Sequence, residues 1–540
     1  MKEKTKLFKM IASIVCIMML LTMFSTYSFA DIGSSDKATI TINKLEPGID
    51  LTAYQLTTVS YDFDNNQLIE PPYSWVAPIK TWLQSHDTYS IYENDLEKFE
   101  EDMNASTDTK KAFYSALTAA IKDSTITGLT TKTTTASGTL GDGGYPEKDE
   151  QLTESATFSD LDMGTYLIVI EGGYRIYEPV VVNATPQAGG GSYTLPAFSA
   201  DVKSSTPTIS KKVNGQDKDS VSTKDVINYE ITADVPTYLP NTIAKKYYIS
   251  DKLSTGLVLH TDSIKVYGYD EQSQEGNKET LLTADTHYTL TTENAQRPVA
   301  DDNQNVTFSI NFNYDQISSY EKIIVRYEAN LDTSVQPGTG YSNKAFLDYS
   351  NNPYVDDSFK TQETGTDGDP DTPDDPNNDV TVFTYGIEVT KVDKANPQTK
   401  LTGAEFALSL DGQKLKFTKV ADGVYYQSES GVESMAVDSN GVLKIYGLDT
   451  DIYTLEETKA PAGYNKATET KEITLADKTI DGVLDDDSDG VYAINFTNSQ
   501  GFQLPETGGI GTTIFVACGI VFLGIGIGLM FVAIKKRNVK

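Results

Sequence analysis

The residues best placed for chemistry in this chain are charged side chains standing where apolar ones belong. In Tyr453-Thr-Leu-Glu-Glu-Thr-Lys-Ala-Pro-Ala-Gly-Tyr464, strand alternation puts Tyr453, Leu455 and Glu457 on one face, so a carboxyl points where core residues point. In Pro207-Thr-Ile-Ser-Lys-Lys-Val213, alternation groups Ile209, Lys211 and Val213, which makes Lys211 the inward lysine and Lys212 the outward one. Lys391 shares a face with Ile387 and Val389 in Gly386-Ile-Glu-Val-Thr-Lys-Val-Asp393. The usual catalytic sets are missing. His86, His260 and His287 stand far apart, leaving little for a His-rich metal site or a Ser-His-Asp machine. No credible nucleophile–base pair supports a surface hydrolase. Asp485-Asp-Asp-Ser-Asp-Gly490 begins like an EF-hand loop, but Phe496 stands where the twelfth-position Glu is required, so it reads as a solvated acidic loop. No metal and no cofactor are expected. With Lys+Arg 44 against Asp+Glu 77 and a net charge of −33, no basic footprint for nucleic acid exists.

The two ends are distinctive. Lys2, Lys4, Lys6 and Lys9 precede an apolar run from Met10 to about Phe24, and Ser28-Phe29-Ala30 follows. That order predicts a secretory signal peptide over 1–30, cleaved after Ala30. At the other end, Leu504-Pro505-Glu506-Thr507-Gly508 precedes an almost uncharged run from Ile510 to Ile534, then Lys535, Lys536, Arg537 and Lys540. As a helix at ~1.5 Å per residue the run is long enough to span a bilayer core, with the basic tail 535–540 on the cytoplasmic side. The three parts together resemble the cell-wall sorting signal of Gram-positive surface proteins. The resemblance implies cleavage by a sortase between Thr507 and Gly508, with Thr507 held as a thioester until an amine takes it. Residues 510–534 are then a temporary transmembrane anchor. Both cysteines, Cys16 and Cys518, fall outside the mature product, so no disulfide is available to it.

Between the ends the pattern is β. Period-2 stretches recur at 38–42, 165–170, 306–312, 322–327 and 441–446, rich in Tyr, Thr, Val and Ile and separated by Gly, Asp, Asn or Pro. One exception lies at about 92–122, where Asp108 can cap a short helix bearing Phe113, Leu117 and Ile121. Gly189-Gly190-Gly191, then Pro196 and Pro207, mark a first break. The acidic stretch 363–380 reads as a long loop before the last strand of a second domain. Leu161-Asp-Met-Gly-Thr-Tyr166 parallels Leu448-Asp-Thr-Asp-Ile-Tyr453, a faint internal repeat. The expected architecture is all-β: tandem immunoglobulin-like (Cna-type) β-sandwiches in a rod, with a helical insertion in the first. The domains are 31–203, 204–385 and 386–503, followed by the sorting motif 504–508.

The segment 453–464 resembles the E-box of sortase-assembled pilins at every defining position, with Glu457 as its glutamate. In that family a buried Lys joins a buried Asn through a spontaneous isopeptide bond. The resemblance implies Lys391 and an asparagine from Tyr492-Ala-Ile-Asn-Phe-Thr-Asn498: Asn498, with Asn495 as the fallback. Burial lowers a lysine's pKa and raises a carboxyl's, so a neutral amine can attack the carboxamide while protonated Glu457 polarises it and shuttles protons. Ammonia leaves. The second domain resembles the pilin middle domain, which implies Lys211, Asn343 from Tyr341-Ser-Asn-Lys344, and Asp251 as the acid from Tyr248-Ile-Ser-Asp-Lys-Leu253. In the first domain Lys44, Asn183 and Glu171 fit no such pattern, and no bond is assigned.

Shaft pilins also offer one surface lysine to the next subunit's threonine. The equivalent place reads Phe198-Ser-Ala-Asp-Val-Lys203; it keeps the lysine but lacks the family's Trp and Tyr-Pro. The resemblance therefore implies a major shaft subunit of a covalent pilus, linked from Thr507 to Lys203: a sortase substrate and not an enzyme, with autocatalytic isopeptide formation its only chemistry. Implied partners are a class C-type pilin sortase, identical subunits, ancillary pilins, wall peptidoglycan and host surface ligands. The alternative is an ancillary or tip pilin or wall-anchored adhesin, sharing the sorting signal but without a working Lys203.

Overall fold

The computed structural model describes residues 31–138, 152–189, 192–273, 278–301, 303–356, 358–364, 380–476, 490–501 and 510–537. Residues 1–30, read above as a signal peptide, most of the acidic stretches and the motif 504–508 lie outside them. The described chain is mostly β, arranged as tandem sandwiches with one helical insertion.

The first unit packs a three-stranded sheet (Phe198–Asp201, Ala38–Leu45, Glu154–Leu161) against a four-stranded one (Thr131–Thr135, Asp50–Gln55, Gly164–Glu171, Val180–Ala184). Strand Gly164–Glu171 carries an unbroken apolar run because both its faces are covered. Tyr166, Ile168 and Ile170 enter the sandwich core, while Leu167 and Val169 face a second core under the helices. The helical insertion is larger than the sequence pattern predicts, with α-helices at Ala77–Ser85, Leu96–Ala105 and Thr107–Lys122. The first was hidden by Pro78, which sits harmlessly in its opening turn. Phe113 and Leu117 are fully buried, as their spacing predicts. The cap differs from expectation: Ser106, not Asp108, accepts from Thr109 N at 3.1 Å. Asp108 lies in the first turn, two residues past the cap, where its charge complements the helix dipole.

The second unit pairs a five-stranded sheet, in the order Ile209–Val213, Ile227–Asp234, Lys322–Leu331, Leu257–Tyr269, Glu279–Leu281, with a larger one. In that larger sheet Val380–Phe383 pairs Tyr341–Tyr349, which pairs Tyr247–Leu253. The third unit opposes a sheet holding Tyr385–Asp393 and Val491–Asn498 to one holding Glu405–Leu410 and Asp451–Lys459. At the glycine-rich break, Gly189 ends the strand Gln187–Gly189, which pairs with Ser192–Thr194.

Polar contacts join neighbouring units. Between the first and second, Tyr349 Oη donates to Tyr174 O at 2.6 Å and Asn351 Nδ2 to Gly173 O at 3.0 Å. Buried Glu46 braces the same loop, accepting from Tyr174 N, Arg175 N and Tyr177 Oη at 2.9–3.1 Å. Only glycine fits at 173: its φ is +67°, and a Cβ would sit 2.2 Å from Glu46 Oε2. Between the second and third, Thr223 Oγ1 donates to Gln427 O at 2.6 Å and Tyr426 Oη to Val335 O at 2.7 Å. The chain ends in a 28-residue helix, Ile510–Arg537. Among the described residues no helix is long and apolar enough to cross a membrane. The side chains described in this last helix are those of Val516 to Val532 and of Ile534.

Candidate functional site

Two buried clusters bring a lysine, an acid and an asparagine together. In the third unit, alternation along Tyr385–Asp393 buries Ile387, Val389 and Lys391 together, and along Asp451–Lys459 it buries Tyr453, Leu455 and Glu457. Strands Tyr385–Asp393 and Val491–Asn498 run parallel, with Lys391 opposite Phe496 and Asp393 opposite Asn498. Lys391 and Asn498 are therefore diagonal neighbours on one face. Glu457 reaches them from the opposing sheet. Lys391 and Glu457 are fully buried and Asn498 is 3 % exposed. Asn495 points to solvent, so the structure brings Asn498 rather than Asn495 to the lysine.

The contacts are tight. Lys391 Nζ donates to Asn498 Oδ1 and lies 3.2 Å from Glu457 Oε1. Asn498 Nδ2 donates to both Glu457 oxygens and to Asn465 O, each at 2.9 Å. Ala467 N holds the carboxylate at 2.7 Å. Phe496 and Phe406 lie 4.7 and 5.9 Å from the lysine nitrogen. Desolvation pushes the Lys391 pKa down, with Glu457 pulling partly the other way. Glu457 thus touches both the nitrogen that could attack and the nitrogen that could leave, as proton shuttling between them requires.

The second unit holds its set differently. Lys211 is buried on the strand Ile209–Val213 of one sheet, whereas Asp251 and Asn343 lie on the adjacent strands Tyr247–Leu253 and Tyr341–Tyr349 of the other. Lys211 is 1 % exposed and both partners are fully buried. Lys211 Nζ donates to Asp251 Oδ2. Desolvation pushes the Asp251 carboxyl up, and Lys211 pulls it part-way back. Two tyrosines that no motif marked complete the pocket. Tyr229 and Tyr327 stack with ring centres 5.3 Å apart and lie 5.3 and 5.6 Å from the lysine nitrogen. Asn343 Nδ2 donates to Tyr327 Oη at 2.8 Å. Alternation did carry a signal for Tyr327, which shares a face with Val325 and Ala329.

The remaining sequence candidates sit elsewhere. Lys44 is exposed and pairs with Asp201 at 2.9 Å, Glu171 pairs with Lys122, and Asn183 lies opposite Thr165. Lys203 is half-buried beside a groove of about 560 Å³ at the seam of the first two units, lined also by Lys111, Glu178, Pro207, Tyr238 and Tyr320. Its carbonyl accepts from Glu178 N at 3.0 Å. Thr507 and Gly508 lie outside the described residues. Among the described residues no group of His, Cys, Asp and Glu is set to hold a metal ion.

Comparison with known proteins gives these sites a context. Residues 386–488 match the SpaA prealbumin-like fold domain, and residues 497–540 match the LPXTG cell wall anchor motif. This is a cell-wall-anchored Gram-positive surface protein. It is 28 % identical over 347 residues to the trypsin-resistant surface T6 protein of Streptococcus pyogenes serotype M6, covering 59 % of this chain and 57 % of that relative's length. Its fold is similar to that of the T6 backbone pilin of the same serotype, with a TM-score of 0.53, 21 % identity, and coverage of 82 % of this chain and 81 % of that one. The full-length major pilin SpaD of Corynebacterium diphtheriae is matched with a TM-score of 0.49 and 18 % identity, over 88 % of this chain and all of that one. The two family matches and the T6 relative support the resemblance to the sortase-assembled major pilins that the motifs carry.

Proposed function

We propose that this chain is the major shaft subunit of a covalently polymerised pilus. A pilin sortase cuts between Thr507 and Gly508, then passes the Thr507 acyl group to Lys203 of the next copy. Two internal amides, Lys211–Asn343 and Lys391–Asn498, lock the second and third domains. The apolar run 510–534 serves as the temporary membrane anchor, with 535–540 as its cytoplasmic tail, and residues 1–30 as the cleaved leader. Ancillary pilins and wall peptidoglycan are its other covalent partners.

One observation carries this reading: two buried sets of lysine, acid and asparagine, in which Lys391 bonds Asn498 beside Glu457 and Lys211 bonds Asp251. Burying an unreacted ion pair is costly, and a pair in such surroundings is weak evidence of stability. Joining lysine to asparagine replaces the charge with a neutral amide and supplies the staple that a chain without usable cysteines lacks. The name of the T6 relative, a trypsin-resistant surface protein, agrees with a chain locked in this way.

Replacing Lys203 by Arg tests the polymer. Loss of the high-mass ladder from wall extracts, with secretion intact, is the expected outcome. An unchanged ladder would overturn the Lys203 linkage and favour an ancillary or tip role.

A further inference from the structure

The isopeptide reading leaves an asymmetry between the two pockets. In the third domain Glu457 contacts the attacking and the leaving nitrogen directly, at 3.2 and 2.9 Å. In the second domain the acid is an aspartate, one methylene shorter. Asn343 lies near enough to Asp251 to lower its pKa slightly, but Asn343 Nδ2 donates to Tyr327 Oη instead. Tyr327 and Asp251 perturb each other, the hydroxyl lowering the carboxyl and the carboxyl raising the hydroxyl. Three buried atoms here lack a hydrogen-bond partner: Asp251 Oδ1, Asn343 Oδ1 and Tyr229 Oη. Tyr229 stacks on Tyr327, whose hydroxyl holds Asn343 Nδ2, so all three side chains meet in one pocket. Buried polar atoms are rarely left unpaired, and three in one pocket suit a site arranged for a later state.

Resting on the isopeptide reading, we propose that Tyr327 is a catalytic residue of the second-domain reaction, with Tyr229 as its companion at the carbonyl oxygen. Lys211 Nζ forms a bond to Asn343 Cγ, and the Cγ–Nδ2 bond breaks. Asp251, protonated at the start, gives its proton into the relay and takes one from the amine nitrogen in its place. Tyr327 accepts an Nδ2–H bond in the ground state, which fixes the orientation of the carboxamide. As Nδ2 departs, the Tyr327 hydroxyl passes it a proton and is refilled from Asp251, so ammonia leaves and nothing is oxidised or reduced. Tyr229 Oη donates to Oδ1 as negative charge gathers there. A short acid and a phenol thus share the work that one longer acid does in the third domain.

The test uses chain 31–503, recovered unreacted in denaturant from inclusion bodies, refolded by dilution and sampled by intact mass. The third-domain bond in the same molecule is the internal control. Wild-type chain is expected to lose two ammonia molecules. Tyr327→Phe keeps the stacked ring; it is expected to lose the first at the wild-type rate and the second about 10²–10⁴-fold more slowly. Closure of the second domain at the wild-type rate in Tyr327→Phe overturns the proposal. Wild-type chain that loses only the third-domain ammonia overturns the Lys211–Asn343 bond itself, a separate failure. Asp251→Asn supplies the folded, unbonded reference. Should Tyr327→Phe be less trypsin-resistant than that reference, Tyr229→Phe is read instead, where slowed closure supports the proposal and unchanged closure sinks it.

Discussion

The second and third domains set similar groups into different places in a sandwich. In the third, lysine and asparagine lie on neighbouring parallel strands of one sheet and the acid comes from the opposite sheet. In the second, the lysine stands on one sheet while acid and asparagine share the other. The contrast shows what the chemistry demands: three side chains in contact, sealed from water, with no fixed assignment to strands. It also separates two mechanical roles. The third-domain bond would join the first and last strands, where tension enters and leaves the domain. The second-domain bond would tie one sheet to the other.

The largest effect that could break this comparison is loss of a bond. Lys391→Ala and Lys211→Ala each open a covalent loop of over a hundred residues. Each is expected to cost about 4–5 kcal/mol, a fall of roughly 10–30 °C in the affected domain's Tm by calorimetry. A drop in both domains from either change would show that they do not melt as separate units. Next come the acids. Glu457→Gln and Asp251→Asn should each leave one ammonia in the chain, in the mutated domain only, as peptide mapping would show. A bond that still forms at the wild-type rate would remove the acid from the mechanism.

The pH dependence of closure sharpens the contrast further. The neutral amine is the nucleophile, and desolvation lowers the Lys391 pKa. Third-domain closure should therefore accelerate with rising pH and level off at a pH below the ordinary lysine value. Asp251 must hold a proton, and its pKa is raised. Second-domain closure should slow once pH climbs past that raised value. Refolding time courses at several pH values, read by mass, check both directions; second-domain closure that keeps accelerating past that value would contradict the Asp251 assignment. The smallest effect belongs to the first domain. Lys44→Ala removes an exposed pair with Asp201 and should change stability by less than about 0.5 kcal/mol, with no ammonia retained.

Much of this arrangement was legible in the sequence because strand alternation is local. The inward faces of Lys211, Lys391 and Glu457 follow from period 2 alone, and the structure buries all three. What local pattern could not supply was partnership across sheets. That Asn343 Nδ2 meets Tyr327 depends on strands paired over long range, and a tyrosine on an apolar face reads as ordinary core. Helix Ala77–Ser85 was missed because Pro78 signals a break unless the helix is known to start just before it. The Ser106 cap was missed because Asp108 has equal capping chemistry two residues on, and only geometry separates them.

The intact mass of chain 31–503 tests the central claim most directly. The account predicts a mass lower than the sequence mass by two ammonia molecules, with cross-linked peptides joining Lys211 to Asn343 and Lys391 to Asn498. A mass equal to that of the unmodified sequence would contradict it.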